Sequence, residues 1–328
     1  MDKTVTAQGV QGILIKEAFG TADARPTGIP TSKVEREKEP ARTIATSETK
    51  LRTLEAALLR LDDVRLEHTD SYSRNDIDVY NFVDWLKFAN SLNDPDKIRN
   101  CLYYGFQPLY DILIEGTVKD TARSSAINAL TGIVAVSKTY LTGYYTGQPD
   151  VKAFRTGLKR IRLDIEELGK NTPYRLKHRN IDDDFYPKEI LSFIKGFLKY
   201  LMDIRKETPD YVIGCACGAS EVAMPLAGIL GIEIGFLRKS KRRFDEEVRV
   251  IDEQLPNIRQ RSMGKRVVCV EDFVCSGKSI ERIMESVRAY GALSVLGASV
   301  RSNTYCDYVQ AVLRDRDFST FRLRGHDE

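Results

Sequence analysis

From residue 211 onward the chain alternates short β-rich runs with helical stripes, and few folds accept that rhythm. The runs are Tyr211-Val212-Ile213, Ile232 to Leu237, Val248 to Ile251, Val267 to Val270 and Val295 to Val300, each bounded by Gly or charge. Ile190, Ile194, Phe197 and Leu201 recur at helical spacing before the first run, and Ile280, Ile283, Met284 and Val287 do so between the last two. Strands and helices that alternate at this length predict helices over both faces of the sheet. The expected class is α/β: a parallel sheet flanked by helices, preceded by an all-helical N-terminal domain.

The helical part begins near Ser47, where Leu51, Leu54, Leu58 and Leu61 share one face and charges take the other. Further helices are expected at about 76–92, 94–115 and 118–145, the second interrupted near Gly105 and Pro108. Basic Lys152, Arg155, Lys159, Arg160 and Arg162 around Phe154, Leu158 and Ile161 read as a solvated amphipathic helix. Tyr103, Tyr104, Phe106 and Tyr110 read as helix core. The expected division is a flexible arm at 1–46, a helical domain at 47–168, the sheet domain at 169–310 and a tail at 311–328.

Fifty Lys plus Arg stand against 47 Asp plus Glu, a formal charge of only +3, which argues against a protein built to coat nucleic acid. The longest apolar stretch, Ala126 to Val136, carries Asn128 and Thr131 and falls short of the roughly 20 residues a membrane span needs. With no leader pattern at the N-terminus and six cysteines lacking framework spacing, a cytoplasmic protein with reduced thiols and no membrane partner is expected. Cys215, Cys217 and Cys275 fall on two loops that the fold would bring together, and small buried cysteines explain them more simply than a metal site does.

Arg266 to Ser279, RVVCVEDFVCSGKS, carries the chemistry. A buried strand ends in Glu271 and Asp272, crosses a short loop and opens a helix through Ser276, Gly277 and Ser279. Ligands of open parallel sheets sit at such strand ends, and a small-residue turn into a helix N-terminus offers N–H groups and a positive dipole end to a phosphate. The two carboxylates could accept hydrogen bonds from a pair of sugar hydroxyls beside that phosphate. A sugar phosphate is therefore the expected ligand. The segment lacks the first glycine of a nucleoside-triphosphatase phosphate loop, so that reading is set aside.

Strand, acidic pair, two apolar residues and a small-residue phosphate loop together resemble the type I phosphoribosyltransferases, most of all the orotate-type branch. Asp210 to Ala219 is similar to that superfamily's first strand and pyrophosphate loop, Phe236 to Arg243 resembles the second strand and basic loop, and Thr172-Pro173-Tyr174-Arg175 is a fainter echo of the hood. The resemblance implies a phosphoribosyltransferase-like sheet that binds phosphoribosyl pyrophosphate, or a related nucleotide, with Mg²⁺. It implies Cys275, Ser276, Gly277, Lys278 and Ser279 around the phosphate, and Cys217, Gly218, Ala219, Arg238 and Lys239 around the pyrophosphate. It further implies Glu271, Asp272, Lys241 and Arg242 in catalysis, with Glu271 and Asp272 also meeting the metal. The basic loop departs from the orotate pattern, with Arg242 at the usual Lys position and Phe244-Asp245 in place of His-Gly. Asn303 stands near the Arg expected after the last strand, and Arg301 is out of register, which argues against orotate as the acceptor.

The enzyme reading is transfer of phosphoribose to or from a base-like acceptor by a homo-oligomer. The rival reading is a divergent effector or regulator that binds a sugar phosphate and acts through its helical domain on a protein or nucleic-acid partner. Fused, divergent members of this kind are similar to proteins of prokaryotic defence systems, including those accompanying retron reverse transcriptases.

Overall fold

The computed structural model describes residues 42–64, 66, 81–171, 187–239, 247–274, 277–302 and 320–322. Five helices come first: α1 (Arg42–Asp62), α2 (Phe82–Ser91), α3 (Pro95–Ile114), α4 (Asp120–Tyr145) and α5 (Val151–Asn171). After α6 (Pro187–Tyr200), which runs on into a π-helical turn at Leu201–Arg205, strands and helices alternate. They are β1 (Tyr211–Cys215), α7 (Ser220–Ile229), β2 (Glu233–Leu237), α8 (Leu255–Ser262), β3 (Arg266–Val274), α9 (Lys278–Ala289), β4 (Ser294–Ser302) and β5 (Thr320–Arg322).

The strands pair in the order β2-β1-β3-β4-β5, every pair parallel, so the expected parallel sheet is present. Side chains alternate across β3, and each face has its own cover. Val267 and Cys269 meet Ile258 of α8 and Ile280, Ile283, Met284 and Val287 of α9. On the other face Val268 and Val270, with Val212, Phe236, Ala298 and Val300, enter a core that continues through α7 into α3 and α4 and on to Leu54 and Leu58 of α1. The helices on either side of the expected boundary at 168/169 thus share one apolar core with this face of the sheet. The described residues from Arg42 on form one compact unit.

Local signals account for the helix ends. Asn81 caps α2 by accepting from the Asp84 N–H at 2.9 Å, and Asp94 caps α3 by accepting from the Asp96 N–H at 2.9 Å, with Pro95 in the first turn. Four expectations change. Thr320–Arg322, within the segment expected as a tail, forms β5 and pairs with β4. The start of α1 at Arg42 puts residues 42–46 in a helix rather than the arm. The break expected in α3 does not occur, since Pro108 lies inside an unbroken helix. Gly105 there makes room for the Trp85 indole, where a Cβ would stand 2.2 Å from Cζ2. Val248 to Ile251 forms no strand; its one described pairing is an antiparallel bridge between Arg249 and Arg238. The expected helix at 76–92 is described from Phe82 on; residues 76–80 lie outside the described residues.

Polar contacts lock the helical layer to the sheet. Arg99 of α3, its side chain 1% exposed, pairs with Glu221 of α7, which also accepts from the Tyr145 hydroxyl of α4 at 2.9 Å. Tyr110 donates to the Phe236 carbonyl of β2 at 3.0 Å. Gly228 of α7 lies so close to α4 that a Cβ there would stand 1.8 Å from Thr142 Oγ1. Removing one member of a buried pair strands the other charge, whereas removing both does not. Arg99→Met is therefore expected to cost about 3–5 kcal/mol, and Arg99→Met with Glu221→Gln to recover most of it, in urea unfolding of the full chain. Equal loss in the single and double variants would show that the pair does not join the layers in this way.

Candidate functional site

The C-terminal ends of β1 and β3 bring together the turn after β1, the acidic pair and the N-terminus of α9. Glu271 and Asp272, expected to end the strand, lie inside β3, which runs on through Phe273 and Val274 beside Arg301 and Ser302 of β4; both carboxylates are only partly exposed. Cys215 feels the charge of Glu271 and, more weakly, that of Asp272, while Tyr103 of α3 feels Asp272. Burial pushes the Glu271 carboxyl up to about 8, and the neighbouring Asp272 adds to the effect. Asp272 accepts the Phe273 N–H through Oδ1 at 2.8 Å.

The turn from Ala216 to Ala219, which contains a cis Ala216–Cys217 peptide, lies against this pair. A Cβ on Gly218 would stand 2.1 Å from Asp272 Oδ2, so the approach of turn to carboxylate admits glycine alone. Ala219 is buried, and its N–H already donates to the Cys215 carbonyl at 3.2 Å, so it adds closure to the turn rather than a donor to a ligand. Cys217 is half-buried, its Sγ 3.9 Å from both the Gln107 carbonyl and Asp111 Oδ1 of α3. Cys215 is fully enclosed, and burial, with Glu271 next, holds its thiol well above the ordinary range, as befits a packing residue.

Gly277 takes φ +74° at the N-cap of α9, a left-handed conformation that favours glycine, and Lys278 and Ser279 open the helix with Lys278 exposed. Of the phosphate-loop residues expected from the sequence, Cys275 and Ser276 lie outside the described residues, as do Lys241 and Arg242 of the basic loop and the hood echo at 172–175.

Arg238 has a different setting from the expected one. Its side chain is 2% exposed and donates to Asp111 of α3 at 2.8 Å, with Glu115 3.9 Å away, so the guanidinium faces the helical layer. Lys239, the next residue, is half-buried. Arg301 of β4 forms a bidentate pair with Glu189 of α6, Nη2 donating to Oε2 at 2.6 Å and Nε to Oε1 at 3.2 Å. The sequence predicts the helix that became α3 but not its place at the site, where it brings Tyr103 and Asp111. Burial, then the charges of Cys217, Asp272 and Glu221, push the Tyr103 phenol well above its ordinary value, so it stays protonated. The available signal was Asp111 itself, a lone carboxylate inside the apolar run from Leu109 to Ile114.

Residues 187–320 match the family described as the phosphoribosyl transferase domain. A ribose-phosphate pyrophosphokinase from Saccharolobus solfataricus is 25% identical over 188 residues, which cover 56% of this chain and 60% of that protein. The chain thus spans about three fifths of that curated relative's length. Among solved structures, a purine phosphoribosyltransferase from Pyrococcus horikoshii Ot3 is 25% identical over 42% of this chain and 84% of its own, with a TM-score of 0.30. An orotate phosphoribosyltransferase from Aeropyrum pernix is 22% identical over 35% of this chain and 59% of its own, with a TM-score of 0.27.

Glu271 sets a pH dependence for the ligand-free protein. The folded carboxyl titrates at about 8 and the unfolded one near 4.5, so the folded state holds an extra proton between those values and stability falls as pH rises through them. Glu271→Gln is expected to stabilise the protein by about 1–3 kcal/mol at pH 8 and by nothing near pH 4, read as the melting temperature against pH. Superposed melting curves at pH 8 would mean that the carboxylate ionises there without cost.

Proposed function

We propose, on the footing that residues 187–320 form a phosphoribosyltransferase domain of the type I superfamily, that this protein binds phosphoribosyl pyrophosphate and transfers phosphoribose to or from a base-like acceptor. One observation carries the reading: near the C-terminal end of β3 the turn at 216–219 lies against Asp272 of the acidic pair, and α9 opens at Gly277 three residues after the strand ends. The α9 N-terminus suits the 5-phosphate, the acidic pair the ribose hydroxyls and the turn the pyrophosphate. The curated relative's name, a ribose-phosphate pyrophosphokinase, supports the same ligand class.

In the transfer the bond from the anomeric carbon to pyrophosphate oxygen breaks, pyrophosphate leaves with the electron pair, and an acceptor nitrogen bonds to the same carbon. Positive charge grows on the ribose, so carboxylates beside it stabilise the transition state more than the ground state. Asp272, held by the Phe273 N–H and by the close approach of Gly218, is placed for that role. Glu271, neutral at pH 7 without ligand, gives up its proton when cationic charge arrives beside it.

The donor set fits Mg²⁺. Glu271 and Asp272 are adjacent hard-oxygen donors, and among the described residues no group of three His, Cys, Asp or Glu side chains could cage an ion. Mg²⁺ commonly takes one or two carboxylates and completes its shell with water and substrate oxygens. When bound, the ion neutralises charge on the departing pyrophosphate.

The setting of Arg238 favours a second reading, a regulator that binds the donor without turning it over, because this cation is engaged by the helical layer rather than aimed at pyrophosphate. Release of pyrophosphate on incubation with donor and candidate bases separates the two readings.

Glu271→Ala with Asp272→Ala is expected to weaken donor binding at least about 100-fold in calorimetric titration with Mg²⁺, while the protein stays folded by circular dichroism. Unchanged affinity in the folded double variant would overturn the site.

A further inference from the structure

Arg238 and Arg249 flank the basic run, and each uses its backbone and its side chain for different tasks. Their backbones form a reciprocal pair, the Arg238 N–H to the Arg249 carbonyl at 2.9 Å and the Arg249 N–H to the Arg238 carbonyl at 2.7 Å, so the two segments close into a stem. Their side chains both reach the last turn of α3. Arg238 pairs with Asp111 and approaches Glu115, and Arg249 donates through Nη2 to the Ile114 carbonyl, one of the helix-end carbonyls without an intrahelical donor. The same Asp111 carboxylate lies 3.9 Å from Cys217 Sγ in the turn that borders Asp272. One buried carboxylate of the helical layer, 3% exposed, therefore touches the stem and the turn together.

We infer that Asp111 is a positioning residue for the pyrophosphate end of the site, fixing the Arg238–Arg249 stem and the 216–219 turn against each other through the last turn of α3. The inference rests on the proposed donor binding for its functional consequence and on the geometry alone for its structural one. A carboxylate that served only to neutralise Arg238 would be replaceable by removing both charges. A positioning carboxylate would not, because stem and turn would lose their common anchor.

The test compares the full-length wild type, Asp111→Asn and Asp111→Asn with Arg238→Gln. The double variant is expected to regain the thermal stability that the single one loses, since no buried charge is left unmatched. Amide hydrogen exchange in peptides covering residues 237–239 and 248–251 of the ligand-free double variant should nonetheless run about tenfold faster than in wild type. Its donor affinity with Mg²⁺ should stay about tenfold weaker. Wild-type exchange at the stem and wild-type donor affinity in the stabilised double variant would overturn the inference. Should neither Asp111 variant fold, Arg249→Ala, at an exposed residue, removes the other arm, and unchanged stem exchange in it would overturn the inference equally. A wild-type protein that binds no donor would sink the proposed function, while the exchange rates would still decide whether α3 anchors the stem.

Discussion

A parallel sheet in water must have both faces covered, because the crossovers that make its strands parallel lay helices over them and its strands are apolar on both sides. Here α8 and α9 cover one face. The other, centred on Val212, Val268 and Val270, is covered by α7 together with helices that precede the sheet in sequence. The N-terminal helices thus complete the fold of the sheet, and the site at its C-terminal edge has one wall supplied by α3. The cover is apolar over most of its area, and each fully buried large side chain contributes roughly 1.5–3 kcal/mol. Its polar contacts, from Arg99, Tyr110 and Asp111, determine how the layers align.

The parts of this architecture written locally were legible. The strand runs, the acidic pair and the Gly277 opening of α9 each sit within a dozen residues, and short-range patterns report short-range geometry. Val248 to Ile251 shows the limit of such patterns, because three β-branched residues around an Arg make a strand only if a sheet edge lies beside them, and the one described pairing of this stretch is the Arg249–Arg238 bridge. Gly105 and Pro108 show it again: both disfavour a helix taken alone, yet α3 is buried along most of its length and packing carries it through.

The role of α3 was illegible for a different reason. The partners of its buried charges lie far away in the chain, Glu221 at 122 residues from Arg99 and Arg238 at 127 from Asp111. A single sequence carries no sign of which distant charge will neutralise a buried one. Arg238 read as a ligand-binding residue because it heads a basic run, and the pairing that turns it toward α3 emerges only in three dimensions.

That pairing has a geometric consequence. Arg99 and Asp111 stand near opposite ends of α3, about 18 Å apart at 1.5 Å rise per residue, one contributing a positive charge to the interface and the other a negative one. Apolar side chains alone would let a helix slip by a turn or lie reversed at modest cost, as one greased rod against another. Two bonds of opposite polarity act instead like a keyed plug, since sliding parts both pairs at once and reversal sets like charges face to face. The helix has one seat on the sheet, and whatever shifts that seat is felt at both ends together.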